Sequence, residues 1–117
     1  MNKSKAKGTM AETAVVNWFF GRAWPAMRRT LHGRFDLGDV FIHPNVMIEV
    51  KATREINLSE FMRQVEVEQA NANAEVGVCI IKRRGMTDVG KWYMVMTVDT
   101  GERLLRAALR ESKDDAG

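Results

Sequence analysis

The chain has 117 residues, 45% of them hydrophobic and 28% Asp, Glu, Lys or Arg, with a formal net charge of +3 at pH 7. That length supports one core of ordinary domain size, and there is no repeat, no low-complexity block and no apolar run long enough to span a bilayer. The N-terminal lysines lead into no apolar stretch with a small-residue cleavage site, so a secretory signal is excluded, and a single cysteine without a Cys/His cluster argues against disulfides and structural zinc. The expectation is one cytoplasmic domain over 1–117, with a basic flexible arm at 1–8 and a flexible tail at 112–117.

Taken in chain order, the elements read α-β-β-β-α-β-β-α. Ala11, Ala14, Val15, Trp18 and Phe19 repeat as one buried stripe and predict a helix from about Thr9 to Gly21. Met27 to Leu31 reads as a short strand. A hairpin follows over Asp39 to Lys51, in which Val40, Phe41 and Ile42 precede His43-Pro44-Asn45 and Val46, Met47, Ile48 and Val50 follow it. Asn57-Leu58-Ser59-Glu60 has the form of a capped helix start, with Leu58, Phe61, Met62, Val65, Gln69 and Ala72 on one face. Glu75 to Arg83 and Lys91 to Val98 read as strands, and Cys79 in the first of them as a small core hydrophobe. Asp99 or Thr100 is expected to cap a last helix carrying Leu104, Leu105, Ala108 and Leu109.

The hairpin carries the chemistry. A three-residue loop centred on Pro44 pairs Val40 with Ile48 and sets Asp39 opposite Glu49, with Lys51 on the same face as Glu49 and with Ile48 and Val50 on the other. A two-residue loop would shift the register and turn Asp39 away. Opposed carboxylates about 5 Å apart repel by roughly 3 kcal/mol at an effective dielectric near 20, so the pair calls for a cation, a shared proton or open water. Charge along the chain is segregated: residues 1–35 carry +6, residues 36–80 carry −5 and residues 81–117 carry +2. Basic flanks around an acidic centre suit a phosphate-binding surface beside a metal site, although Glu60, Glu66 and Glu75 read as the solvated face of a helix and its surroundings.

Asp39-x9-Glu49-Val50-Lys51 resembles the core of the PD-(D/E)xK nuclease superfamily, and the small size is similar to that of archaeal-type Holliday junction resolvases and bacteriophage junction nucleases. The resemblance implies an α/β restriction-endonuclease-like fold with a central mixed sheet of about five strands flanked by helices. It implies that Asp39, Glu49 and the backbone carbonyl of Val50 bind Mg²⁺, with Mn²⁺ as a substitute, and that Lys51 positions the attacking water. It also implies a Mg²⁺-dependent endonuclease acting on branched DNA, most of all a four-way junction, in DNA recombination. Two nicks related by a two-fold axis would ask for a homodimer. No membrane or small-molecule cofactor is implied, and a phage-encoded enzyme would work in the host cytoplasm or nucleoid. Gly38 stands where the family often has a proline. A nuclease for nicked, flapped or duplex DNA would share the same residues, and a non-catalytic basic DNA-binding domain is the rival of a different class.

Several neighbours have two readings. Thr9-Met10-Ala11-Glu12 fits a capping box, whereas the resemblance places Glu12 near the metal. Gln64 is the candidate partner of Lys51 from the second helix, with Glu68 or Gln69 as substitutes, against a solvated flank. Lys7, Arg28, Arg29, Arg34, Lys82, Arg83 and Arg84 are candidate phosphate contacts, against ordinary surface charge. His32 and His43 belong to no metal-binding spacing, and His43 reads as a turn residue. Asp36 is the alternative to Asp39 if the hairpin is longer. A dimer surface is left open among Trp92, Tyr93 and the last helix.

Overall fold

The structure, a computed structural model, describes residues 3–29 and 38–116, with side chains described over 6–29 and 38–110. Its elements are α1 (Lys3–Phe20), β1 (Met27–Arg28), β2 (Val40–His43), β3 (Val46–Lys51), α2 (Leu58–Ala72), β4 (Val76–Ile81), a 3-10 turn (Val89–Lys91), β5 (Tyr93–Val95) and α3 (Val98–Ala116). They form an α/β domain around a five-stranded mixed sheet in the order β1-β2-β3-β4-β5, antiparallel except for the parallel β3–β4 pair. A parallel pair needs a crossover, and α2 supplies it.

The sheet buries a different set of residues on each face. Ala11, Val15 and Phe19 of α1 pack with Val40, Ile42, Ile48, Val50, Val78 and Ile80. Phe61 and Val65 of α2 pack with Met47, Cys79 and Ile81. β4 is therefore covered on both sides, which is why VGVCII reads as a continuous apolar run rather than an alternating one.

The helix boundaries differ from the sequence reading in three places. α1 begins at Lys3 rather than Thr9, so the stretch expected as a flexible arm is helical from that residue, and Thr9 lies inside the helix with its carbonyl accepting the Thr13 hydroxyl at 2.9 Å. Lys and Ala favour helix strongly enough for the chain to pass through Gly8, whose cost is only about 1 kcal/mol. α3 likewise continues through the expected tail to Ala116, and its first turn is capped earlier than expected, by the Thr97 hydroxyl accepting the Thr100 N–H at 3.2 Å. α2 starts as read, with the Asn57 side chain accepting the Glu60 N–H at 3.1 Å, but its buried face is Phe61, Val65 and Glu68, and Leu58 is exposed. The strands are shorter than their apolar runs: β1 has two residues, β5 has three, and Asp88 caps the 3-10 turn ahead of β5. Thr30 and Leu31, the end of the expected first strand, lie outside the described residues.

The hairpin reaches the expected register by an unexpected route. His43 pairs with Val46 across a two-residue turn, yet Val40 pairs with Ile48 as it would from a three-residue loop. A β-bulge lies between, with Phe41 and Ile42 opposing Met47 alone, and its one-residue shift cancels that of the tighter turn. His43, expected in the turn, is instead the last residue of β2; the Asn45 N–H donates to its Nδ1 at 3.0 Å, and Asn45 Oδ1 accepts the Glu75 N–H at 2.8 Å, which ties the turn to the start of β4.

The chain enters β2 through Gly38, whose φ of +97° is open to glycine and costly for other residues. A Cβ there would lie 2.9 Å from both the Ile48 carbonyl oxygen and Met47 Sδ. Gly38→Ala is expected to lower unfolding free energy by about 2–3 kcal/mol. Urea denaturation checks this, and an unchanged midpoint would remove the constraint assigned to Gly38.

Candidate functional site

β3 presents Glu49 and Lys51 to the α2 side while Ile48 and Val50 fill the α1 side, as the alternation requires. Glu49 is 2% exposed and Lys51 stands at the rim, with Nζ 3.5 Å from Glu49 Oε2. Lys51 Nζ donates to Gln64 Oε1 at 2.8 Å and Gln64 Nε2 donates to Glu68 Oε1 at 2.9 Å. Glu68, four residues beyond Gln64 and therefore on the same helix face, is also 2% exposed and hydrogen-bonds to Glu49. The four side chains close a ring across β3 and α2. Glu49 Oε1 is buried with no hydrogen-bond partner.

A carboxylate in that position loses its hydration without full compensation. Burial first, then the hydrogen bond and charge of Glu68 and the charge of Asp39, push the Glu49 carboxyl up to about 10, while Lys51 pulls in the opposite direction. Cys79, paired with Glu49 across β3 and β4, is pushed up to about 12, chiefly by burial, and packs as the small hydrophobe expected of it.

Asp39 arrives just ahead of β2. Its N–H donates to the Ile48 carbonyl at 2.8 Å and its Oδ2 accepts the Val50 N–H at 2.8 Å, so the carboxylate is held against β3 beside Glu49. The N–H and C=O of a strand residue project to the same edge, so the Val50 carbonyl faces the Asp39 side as well. Glu12, in the middle of α1, takes both contacts of an Arg28 guanidinium at 3.1 Å. Its carboxyl is raised by burial and by the charge of Asp39, and Arg28 offsets both. Its capping-box reading fails because the helix starts well before Thr9, and it lies close enough to Asp39 to feel that charge.

Parallel pairing brings the C-terminal ends of β3 and β4 out at one end of the sheet, the usual position for ligand sites in such sheets. The loops that follow them line two adjoining clefts of about 370 and 320 Å³, which share Lys7, Thr53 and Arg54. One opens on Val50 and Lys51, the other on Lys82 and Arg84, and no acidic residue lines either. Lys7, Lys82 and Arg84 are thus gathered into one basic groove.

The other basic candidates lie elsewhere. Arg28 is engaged by Glu12, Arg29 lies over the Phe41 ring at 5.1 Å and Arg83 over Tyr93 at 5.4 Å. Arg34 and Asp36 lie outside the described residues. Gln69 supports the turn after α2, donating to the Ala74 and Glu75 carbonyls at 3.2 Å, which leaves Gln64 as the partner of Lys51. Arg54, in a loop with no periodic signal, lines both clefts without having been indicated by the sequence, and Glu68, expected as a substitute for Gln64, instead accepts a hydrogen bond from it. Among the described residues no group of three or more His, Cys, Asp or Glu is placed to hold a metal ion. The available donors beside Lys51 are two carboxylates and the Val50 carbonyl, a hard-oxygen set that suits Mg²⁺ or Mn²⁺.

Because folded Glu49 holds its proton more tightly than the unfolded chain does, the stability it contributes is complete below about 4.5 and is lost as pH rises toward about 10. The wild-type protein is expected to lose stability between pH 5 and pH 9. Glu68→Gln, which removes a like charge and keeps a hydrogen-bonding side chain, is expected to flatten that slope and add about 1–2 kcal/mol at pH 8. Chemical denaturation of both proteins at the two pH values measures it, and equal slopes would refute the coupling. Comparison of the chain with protein-family models, curated proteins and solved structures finds no match, so its chemistry has to be argued from these residues.

Proposed function

We propose that the chain is a divalent-metal-dependent endonuclease of the PD-(D/E)xK kind, with a restriction-endonuclease-like fold, that cleaves branched DNA and prefers a four-way junction. The observation that carries this reading is the buried, unpartnered Oε1 of Glu49 beside Asp39 and Lys51. A protein that only bound DNA would have no need to keep such a group under a helix, where it costs stability.

Asp39, Glu49 and the Val50 carbonyl would hold the cation, which when bound would polarise a phosphoryl oxygen and acidify a water. Lys51 would orient that water and offset the charge that develops on the phosphate. Gln64 fixes the Lys51 ammonium through its 2.8 Å hydrogen bond, so the amine does not have to be ordered during the reaction. Glu68 anchors the far end of Gln64. Lys7, Arg54, Lys82 and Arg84 would take the phosphates flanking the cut, an arrangement that positions DNA without reading bases. Arg28 would reach a phosphate only by leaving Glu12, which would release a carboxylate near Asp39. The Gly38 departure is supported physically, because proline's φ near −65° is incompatible with +97° at that position. Paired cuts across a junction would call for two copies about a two-fold axis.

The test is cleavage of a synthetic four-way junction, a flap and a duplex of matched sequence, with Mg²⁺ or EDTA, by the wild type, Asp39→Asn and Lys51→Ala. Cutting is expected with Mg²⁺ alone, with each variant about 100-fold slower or worse. Cutting in EDTA, or at wild-type rate by Asp39→Asn, would sink the reading. Equal cutting of junction and duplex would keep the nuclease and remove the junction preference, and junction binding without any cutting would favour a DNA-binding domain.

A further inference from the structure

α3 touches the domain only at its start. Thr100 is buried and Gly101 partly so, but every residue from Glu102 to Arg110 is exposed, including Leu105 at 67% and Leu109 at 71%. At 100° per residue, Val98, Leu105 and Leu109 fall within about 40° of one line, with Leu104 and Ala108 on one flank and Glu102 and Arg106 on the other. Full burial of each leucine is worth about 1.5–3 kcal/mol, and here that contribution is left in water. The surface shows the same surplus: the chain exposes 8459 Å², roughly a third more than expected of a folded monomer of 13.3 kDa.

The charges indicate the occupant. Asp99 and Glu102 stand toward the start of the helix, and Arg103, Arg106 and Arg110 follow. Arg103 and Arg106 are paired within the helix, to Asp99 and Glu102, whereas Arg110 makes no ion pair among the described residues. Antiparallel packing of two α3 helices about Leu105 and Leu109 places each Arg110 within reach of the other copy's Glu102. A parallel pair would instead set the Glu102–Arg106 flank of each copy against Leu104 and Ala108 of the other, where neither charge finds its opposite.

We infer that the α3 stripe is a self-association surface on which a second copy of this chain packs antiparallel through Leu105 and Leu109. This rests on the helix alone and stands or falls independently of the nuclease reading.

The experiment is sedimentation equilibrium of the full chain at 10–100 µM, an order-of-magnitude range suited to a small helical interface, beside Leu105→Glu/Leu109→Glu. Twice the monomer mass is expected for the wild type and monomer mass for the variant, with far-UV circular dichroism confirming that the variant is folded. Orientation is read by oxidation: Ala108→Cys is expected to form an intermolecular disulfide, whereas Val98→Cys, held on the order of 25 Å from its counterpart in an antiparallel pair, is not. A monomeric wild type, a dimer that survives both glutamates, or cross-linking through Val98→Cys in place of Ala108→Cys would overturn the inference.

Discussion

A carboxyl group sits beneath a helix in the middle of an otherwise apolar strand, and the other features of the site follow from it. Glu49 is flanked in the central strand β3 by Met47, Ile48 and Val50, all buried, and is held in register with Cys79 of β4. α2 therefore cannot be apolar across its whole buried face. Phe61 and Val65 pack on the sheet, while Gln64 and Glu68 meet the carboxyl and Lys51 completes the ring. A buried polar network is stable only when its members satisfy one another, and in this one Glu49 Oε1 is left without a hydrogen bond.

The charge segregation seen along the chain becomes a spatial one through topology. The acidic centre folds into β3 and α2, whereas the basic groove draws Lys7 from the N-terminal helix, Arg54 from the loop after β3, and Lys82 and Arg84 from the loop after β4. Only a parallel β3–β4 pair puts those two loops at the same end of the sheet. The +3 net charge is thus a poor summary of a surface on which Lys7, Arg54, Lys82 and Arg84 share one groove.

The core of the site was legible because a strand's period is strict. Once Asp39, Glu49 and Lys51 were assigned to a hairpin, their common neighbourhood followed from alternation alone. The route was not legible. The tighter turn and the bulge each move the register by one residue and cancel, and whether a bulge forms depends on neighbouring strands that local sequence does not report. Helix ends were the weakest reading, since Gly8 looked like a boundary and was only a modest local cost. That error mattered, because a start at Thr9 offered Glu12 a capping role that the longer helix removes. Glu68 was legible only as a substitute for Gln64: helical spacing shows which residues share a face, but not that the face lies over β3. The apolar spacing of α3 was equally plain, yet periodicity cannot say whether the stripe meets its own domain.

The crossover also governs when the site comes into being. The ring needs β3, which supplies Glu49 and Lys51, and α2, which supplies Gln64 and Glu68, and the groove beside it needs β4, which pairs with β3 in parallel. Such pairing is among the slower steps of folding, because a long segment must close before its contacts form. A chain still emerging from the ribosome, with residues through Ala72 free, would hold Glu49, Lys51, Gln64 and Glu68 but neither β4 nor the Lys82 and Arg84 that follow it. The groove beside Lys51 is therefore timed by the topology, and it appears only with the completed sheet.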